Sequence, residues 1–192
     1  MFQDIVFPTG NEKEFISVAS GLGTGSLLFI YDFERKEDSR KPIELQKETD
    51  IKLDFGLLCL EKDIFKARNY SKNLFIKAKD ENRFIFEKFS NGNIFGLEEV
   101  ARFDKLHYRA SGLNQVLCKL AAENNISLCL SFSSILNSNE SRRSVIIGRM
   151  TQNIKFCRKY KVNLRFASFA KEPFEMRAEN DLKAFFRMIG IY

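Results

Sequence analysis

The sequence predicts an α/β fold in which strands and helices alternate along one chain. Length and composition support this, because 192 residues, of which 44% are hydrophobic and 20 are Phe, supply the core of one domain. Seven short apolar runs have the length of strands, and helical patterns separate most of them. Such alternation predicts a parallel sheet, either in an α/β barrel or in a doubly wound sheet, and periodicity does not choose between the two.

The predicted elements cover most of the chain. Strands are predicted at residues 2–7, 27–31, 54–60, 74–77, 93–97, 126–132 and 163–167, one strand fewer than a complete eight-stranded barrel has. Helices are predicted at residues 11–22, 63–70, from 80, from an N-cap at Ser111 to Asn124, at 142–160 and at 182–188. Segment 34–52 carries many charges of both signs and is predicted to be an exposed excursion. The glycines at 21, 23 and 25 fit a helix end better than a phosphate loop, since no Lys-Ser/Thr pair follows them.

The long helix at residues 142–160 carries the most informative pattern. Its apolar stripe consists of Ile146, Ile147, Met150, Ile154 and Cys157. From residue 142 to residue 165 there are eight basic side chains and no acid. Because the first turn of a helix favours anions, Arg142 and Arg143 are placed unfavourably there, and an external polyanion would explain them. A solvated basic face is the alternative explanation.

Charge is distributed unevenly between the two halves of the chain. Residues 1–100 hold 15 basic and 18 acidic side chains, whereas residues 101–192 hold 16 and 7, within a net charge of +6. This asymmetry suggests binding to nucleic acid or to an anionic membrane, and no amphipathic terminal helix or lipidation motif supports the membrane. No signal peptide or membrane span is expected, and the four dispersed cysteines are predicted to be reduced core residues, so a cytoplasmic location is expected.

An ordered set of short motifs gives the second half of the chain a family resemblance. The set comprises Arg109-Ala-Ser-Gly-Leu-Asn114, Lys119-Leu-Ala-Ala-Glu-Asn-Asn125, Arg142-Arg143, Asn153, Phe156-Cys-Arg-Lys-Tyr-Lys-Val162, Ser168-x-Ala170, Met176-Arg177, Asp181-Leu182 and Gly190. In this order they resemble protein component 3 of archaeal ribonuclease P, a relative of the eukaryotic thirty-kilodalton subunit. Two positions depart from the family pattern: Phe169 replaces a small residue, and Glu179-Asn180 replaces a proline near the last helix.

The resemblance implies a fold, a function and partners. It implies a single domain over residues 1–192, with a distorted TIM-barrel-like α/β fold. It also implies a protein subunit of ribonuclease P that binds and activates the catalytic RNA, which removes 5′ leaders from precursor tRNA. The implied partners are that RNA, protein component 2 and, for the holoenzyme, precursor tRNA. Magnesium would serve the RNA catalyst, and the polypeptide itself would hold no cofactor and no catalytic residue.

On this interpretation a set of basic residues and one serine are the candidates for RNA contact. Forked Arg donors suit paired phosphate oxygens, although an exposed charge is as commonly only solvated or ion-paired. Ser168 could bind phosphate or cap its turn, and Arg177 could bind phosphate or pair with Glu175 or Asp181. The candidates are Arg109, Arg142, Arg143, Arg149, Lys155, Arg158, Ser168, Lys171 and Arg177.

The competing hypothesis is a stand-alone, metal-dependent phosphoesterase of the related barrel superfamily. Such a barrel enzyme would use strand-end residues, of which Asp32, Glu61 and Lys79 are the candidates. A site with several cations needs several His ligands, and the chain has only His107, which fits local packing or stacking on RNA better. At least one of Phe156, Phe169 and Phe174 is expected to be exposed and to mark a protein interface.

Overall fold

Seven β-strands form the framework of the computed structural model, which describes residues 2–191. The strands are β1 (Asp4–Val6), β2 (Ser26–Asp32), β3 (Lys52–Leu58), β4 (Leu74–Lys77), β5 (Asn93–Phe95), β6 (Ser127–Ser131) and β7 (Leu164–Ala167). All seven lie at or within two residues of the predicted runs. Six consecutive residues of β2 are buried, as expected of a parallel strand that is covered on both faces.

Helices follow most of the strands. They are α1 (Glu12–Gly21), α2 (Lys41–Leu45), α3 (Ile64–Ala67), α4 (Arg83–Lys88), α5 (Leu97–Val100), α6 (Gln115–Glu123), α7 (Phe132–Leu136), α8 (Glu140–Tyr160) and α9 (Glu179–Met188). Short 3-10 helices lie at Phe33–Arg40, Gln46–Glu48, Glu61–Asp63 and Pro173–Glu175.

The strand order selects one of the two predicted topologies. The sheet runs β1-β2-β3-β4-β5-β6-β7, so each strand lies beside the next strand in the chain. The pairings of β1 with β2, β2 with β3, β3 with β4 and β5 with β6 are parallel. A doubly wound sheet reverses its strand order at a switch point, and this sheet has none. The TIM-barrel-like α/β fold class is therefore confirmed.

The chain forms two compact units, of which the first holds the residues up to Phe75 and Ala167–Ala184. Phe15, Phe29 and Phe75 are fully buried in this unit. After β7, Ala170 forms a parallel bridge to Val6, and the Phe7 amide donates to the Ala170 carbonyl at 2.8 Å. The outer edge of β1 is therefore paired with the segment that follows β7.

The second unit holds Ile76–Phe166 and the residues from Phe185 onward. Its longest helix, α8, buries Ile146, Met150, Ile154 and Cys157, which confirms the predicted apolar stripe, although Ile147 is only half-buried. The four cysteines are buried and unpaired, also as predicted. The assignment of residues 1–192 to a single domain stays a prediction.

Three local predictions need correction. The helix predicted from Ser111 begins at Gln115, because Asn114 is the N-cap and its side chain accepts from the amides of Val116 and Leu117 at 2.9 and 3.0 Å. The helix predicted from residue 80 begins at Arg83. Segment 34–52 is mostly exposed or half-buried, as expected, but it is largely helical rather than irregular, and it buries Pro42 and Leu45. The sequence did not indicate these helices, because Ile43 and Leu45 among many charged residues form too short a pattern to show a helical period.

Candidate nucleic-acid interface

At the beginning of α8, the arginine side chains form hydrogen bonds within the protein. Asn139 caps the helix by accepting from the Arg142 amide at 2.9 Å. The Arg142 guanidinium donates to the carbonyl oxygens of Ala101 and Arg102, both at 2.9 Å, and to that of Glu99 at 2.5 Å. These acceptors lie at the end of α5 and just after it, where helix carbonyls lack helical donors, and Arg142 donates to all three. Hydrogen bonds within the protein therefore account for Arg142 at the helix start, and its contact with RNA stays a prediction.

Arg143 is likewise engaged, although it remains exposed. Its Nε donates to the Ile135 carbonyl at 3.1 Å and its Nη2 to the Ser138 carbonyl at 2.9 Å. Ile135 and Ser138 lie in and after α7, whose last carbonyls also need donors. Arg142 thus holds the end of α5, and Arg143 holds the end of α7, against the start of α8.

Arg149 is buried completely, which corrects its assignment as an RNA contact. Its Nε donates to Asp104 Oδ1 at 2.7 Å, and its Nη1 donates to the carbonyls of Glu98 and Ala101 at 2.9 and 2.6 Å. The sequence contains a signal for this burial. Residue 149 lies three positions after Ile146 and four before the buried Asn153, on the apolar stripe rather than opposite it.

The surroundings of Arg149 are electrostatically unusual. Glu98 is fully buried, and among the described residues neither of its carboxylate oxygens nor Nη2 of Arg149 has a hydrogen-bond partner. Burial raises the pKa of Glu98 to about 8, with a further rise from Glu99 that Arg149 opposes. Burial also acts to raise the pKa of Asp104, but the hydrogen bonds from Arg149 and the Ala110 amide, with the nearby charges, leave it below its usual value.

Arg109 lies near the end of the connection between α5 and α6 and joins it to α8. Its Nη1 donates to the Gly148 carbonyl at 3.0 Å, and a Cβ at Gly148 would lie 3.0 Å from its guanidinium carbon. Gly148 therefore leaves room for the guanidinium on α8. Arg109 is exposed and retains donors for a ligand.

The exposed cations of α8 lie in its C-terminal half. Lys155, Arg158, Lys159 and Lys161 are all exposed, and Arg158 donates to the Gly190 carbonyl. Cations near a helix C-terminus also interact favourably with its dipole, so part of this pattern has a local cause. Of the RNA-contact candidates on α8, Lys155 and Arg158 are exposed and take no part in the hydrogen bonds that Arg142 and Arg143 make at the helix start.

The first unit contains the other three candidates. Ser168 is fully buried, where its hydroxyl donates to Asp4 Oδ2 at 2.7 Å and accepts from the Ala170 amide at 3.3 Å. The turn-capping role of Ser168 therefore fits the structure and phosphate binding does not. Arg177 donates to the carbonyls of Phe174 and Met176 at 2.9 and 2.7 Å. Lys171 is exposed.

The three phenylalanines of the predicted protein interface differ in exposure. Phe174 is 76% exposed, which confirms that at least one is on the surface. Phe156 is half-buried and stacks on Tyr160 with ring centroids 6.4 Å apart. Phe169 is buried against Phe7 and Phe75, and its φ of +51° explains why a small residue suits the position.

The residues of the enzyme hypothesis do not assemble into a metal site. Within residues 2–191, no three His, Cys, Asp or Glu side chains are grouped so that they could hold a metal ion. His107 lies in an exposed connection. None of the described helices combines the length and apolar content that crossing a membrane requires.

These features define a class of protein: a TIM-barrel-like α/β chain with exposed cations in the C-terminal half of helix α8. Residues 102–192, a little under half of the chain, match the family described as RNase P subunit p30. The resemblance to archaeal ribonuclease P protein component 3 is thereby confirmed for this part of the chain.

Relatives of known name share the same description. "Ribonuclease P protein component 3" of Methanosarcina acetivorans is 36% identical over 97 residues, which are 48% of this chain and 41% of the relative. The protein of that name from Methanococcus maripaludis strain C7 is 27% identical over 132 residues, which are 68% of this chain and 54% of the relative. The chain thus spans about half the length of these relatives.

A solved structure shares the fold over almost the whole chain. A chain in the cryo-EM structure of archaeal ribonuclease P with mature tRNA matches with a TM-score of 0.80 and 20% identity, covering 98% of this chain and 83% of the other. At this identity the likeness shows the fold.

Proposed function

We propose that this chain is a protein subunit of ribonuclease P. It binds the catalytic RNA and activates it for removal of the 5′ leader from precursor tRNA, with magnesium serving the RNA and protein component 2 as a partner. The observation that carries the proposal is the match of residues 102–192 to the RNase P subunit family in the half of the chain with nine excess positive charges. The relatives' name and the ribonuclease P structure support the same role.

The exposed candidates fit a role in neutralising RNA phosphates. Arg109, Lys155, Arg158 and Lys171 are exposed, while Arg177 is half-buried. Phosphate contacts orient a protein on nucleic acid without reading its sequence, and each neutralised phosphate releases counterions. Affinity that falls steeply with salt is therefore expected.

Reconstitution tests the proposal. We expect the chain, added to an archaeal ribonuclease P RNA with component 2, to raise the rate of precursor tRNA cleavage. The increase should be largest at limiting magnesium, where protein cations replace metal ions around the phosphates. Cleavage is measured with end-labelled precursor tRNA across a magnesium titration.

A charge variant supplies the control. A Lys155→Ala, Arg158→Ala double variant should lose most of the gain at limiting magnesium and recover at high magnesium, while Lys13→Ala, Lys47→Ala should match the parent. No gain from the parent chain at any magnesium concentration would contradict the proposal. Hydrolysis of a phosphodiester by the chain alone with manganese would support the phosphoesterase instead.

Phe174 provides a test of the protein partner. Its ring is 76% exposed beside the turn that Arg177 holds, so it can enter an interface without unfolding the chain. Phe174→Glu should weaken component 2 binding about tenfold or more, since exposed aromatic residues are common interface anchors. Isothermal titration calorimetry measures the affinity, and the thermal transition should stay within about 1 °C of the parent.

Phe156→Glu distinguishes the two aromatic surfaces. Its half-buried ring stacks on Tyr160, so this substitution should reduce stability as well as any binding. Unchanged component 2 affinity for both variants would remove these phenylalanines from the interface.

A further inference from the structure

The connection between α5 and α6 contains an exposed segment that polar contacts nevertheless hold against α8. Every residue from 102 to 109 is exposed, in the order Arg-Phe-Asp-Lys-Leu-His-Tyr-Arg. Phe103 is 70% exposed, Leu106 is 92% exposed and Tyr108 is 64% exposed. We call residues 102–109 the clamped loop.

Polar contacts, rather than apolar burial, fix the clamped loop. Arg149 holds Asp104 from within α8 at 2.7 Å, and Asp104 also accepts from the Ala110 amide at 2.9 Å. Arg142 holds the carbonyl of Arg102, and Arg109 holds that of Gly148. The Lys105 amide closes a turn by donating to the Tyr108 carbonyl at 3.0 Å. The protein thus fixes the backbone while leaving three large apolar side chains in water.

The charge of the clamped loop indicates what would cover these side chains. Its only acid, Asp104, is neutralised by the buried Arg149, so the exposed side presents Arg102, Lys105 and Arg109. The Arg102 guanidinium lies 5.0 Å from the centre of the Phe103 ring. Lysine is depleted at the cores of protein–protein interfaces. Unpaired nucleotides, in contrast, bind where cations lie between exposed aromatic rings, because the cations neutralise the phosphates and the bases stack on the rings.

A groove adjoins the loop and extends this surface. Its volume is about 510 Å³, and Val100, Phe103, Val145, Asn139 and Ser141 contribute to its walls. The single acid in its lining, Glu99, hydrogen-bonds Ser134 and lies 3.9 Å from Lys77 Nζ. An apolar wall with an amide and a hydroxyl at its rim suits the face and the edge of a base.

We propose that the clamped loop binds an unpaired strand of RNA by stacking bases on Phe103 and Tyr108 and holding phosphates with Arg102, Lys105 and Arg109. This deepens the proposed function and rests on it, since it names the kind of RNA element that the subunit takes.

The test uses the full chain and two fluorescein-labelled probes: an oligouridine, and a hairpin RNA with the same number of phosphates. Phe103→Ala and Tyr108→Ala should each weaken oligouridine binding about 5- to 100-fold in fluorescence anisotropy, because aromatic stacking contributes at this level for each base. Hairpin affinity should change less than about twofold. Lys105→Ala should reduce the slope of log affinity against log salt by about 0.7 for oligouridine.

Phe65→Ala is the matched control. Phe65 is also 70% exposed, and the Arg68 guanidinium lies 6.0 Å from the centre of its ring. This variant should bind both RNAs like the parent, and all the variants should retain the parent's thermal transition.

Three results would overturn the inference. They are parental oligouridine affinity in both loop variants, an equal loss of affinity for the hairpin, and loss of component 2 binding with RNA affinity unchanged, which would place a protein on the loop.

Failure of this inference is distinguishable from failure of the proposed function. If the parent activates ribonuclease P RNA but the loop variants bind oligouridine normally, only the loop assignment fails. If the variants lose oligouridine but the parent activates nothing, only the subunit role fails.

Discussion

Arg149→Ala is expected to lower the free energy of unfolding by about 3–5 kcal/mol, because it leaves a cavity and removes the donor from buried carbonyl acceptors. The guanidinium is entirely buried, and it satisfies the carbonyls of Glu98 and Ala101 as well as Asp104. Arg149→Lys should recover only part of the loss, because an ammonium group cannot reproduce a fork that reaches all three acceptors. Urea unfolding followed by circular dichroism measures the change.

Lys155→Ala is the control on the same helix, since Lys155 is exposed and its removal should change stability by less than about 0.5 kcal/mol. Hydrogen exchange locates the effect. In Arg149→Ala the Ala110 amide should lose protection before the core of α8 does, because Asp104 would no longer be held. If the free energy of unfolding of Arg149→Ala lies within about 1 kcal/mol of the parent value, the Arg149 guanidinium does not hold the clamped loop.

Asp4→Ala is expected to destabilise the protein by about 2–4 kcal/mol, because buried donors lose their acceptor. Asp4 Oδ1 accepts from the amides of Ser168 and Ile5 at 2.7 and 3.0 Å, and Oδ2 accepts from the Ser168 hydroxyl at 2.7 Å. These bonds join β1 to the segment after β7, across 164 positions of sequence. Asp4→Asn should be much milder, because its amide oxygen still accepts both backbone bonds and the Ser168 hydroxyl can donate to the Ile5 carbonyl instead.

The two Asp4 variants also differ from the parent in pH dependence. Burial raises the pKa of Asp4 to about 6 from an ordinary value of 3.8, against the hydrogen bonds from Ser168 and Ile5. The folded state therefore keeps a proton that the unfolded state releases, and the free energy of unfolding falls as the pH rises through this window. Urea midpoints at pH 4, 5, 6 and 7 should show Asp4→Asn gaining on the parent by an amount on the order of 2–3 kcal/mol. A constant difference across this range would contradict the raised pKa.

Local sequence was enough to place the framework. Each strand came from a short apolar run, and α8 came from Ile146, Met150, Ile154 and Cys157, whose spacing is a property of the helix itself. The charge asymmetry and the ordered motifs of the second half likewise need only counting and order. They led to the resemblance that the comparisons confirm for residues 102–192.

The site depended on the tertiary structure. Charge counting treated Arg142, Arg149 and Lys155 as equivalent, but the first two bond carbonyls more than 40 positions away and only the third is simply exposed. The spacing of Arg149 on the apolar stripe indicated burial, yet nothing local identifies Asp104 as its partner.

What the sequence determined by itself was the alternation of strands and helices, the basic second half and the family resemblance, because periodicity, charge and motif order are local or additive. The tertiary structure decided the barrel-type strand order, the pairing of Ser168 with Asp4, and the presentation of Phe103 and Tyr108. Each of these depends on which distant residue satisfies a buried polar group or leaves a side chain uncovered, and the folded chain alone specifies such partners.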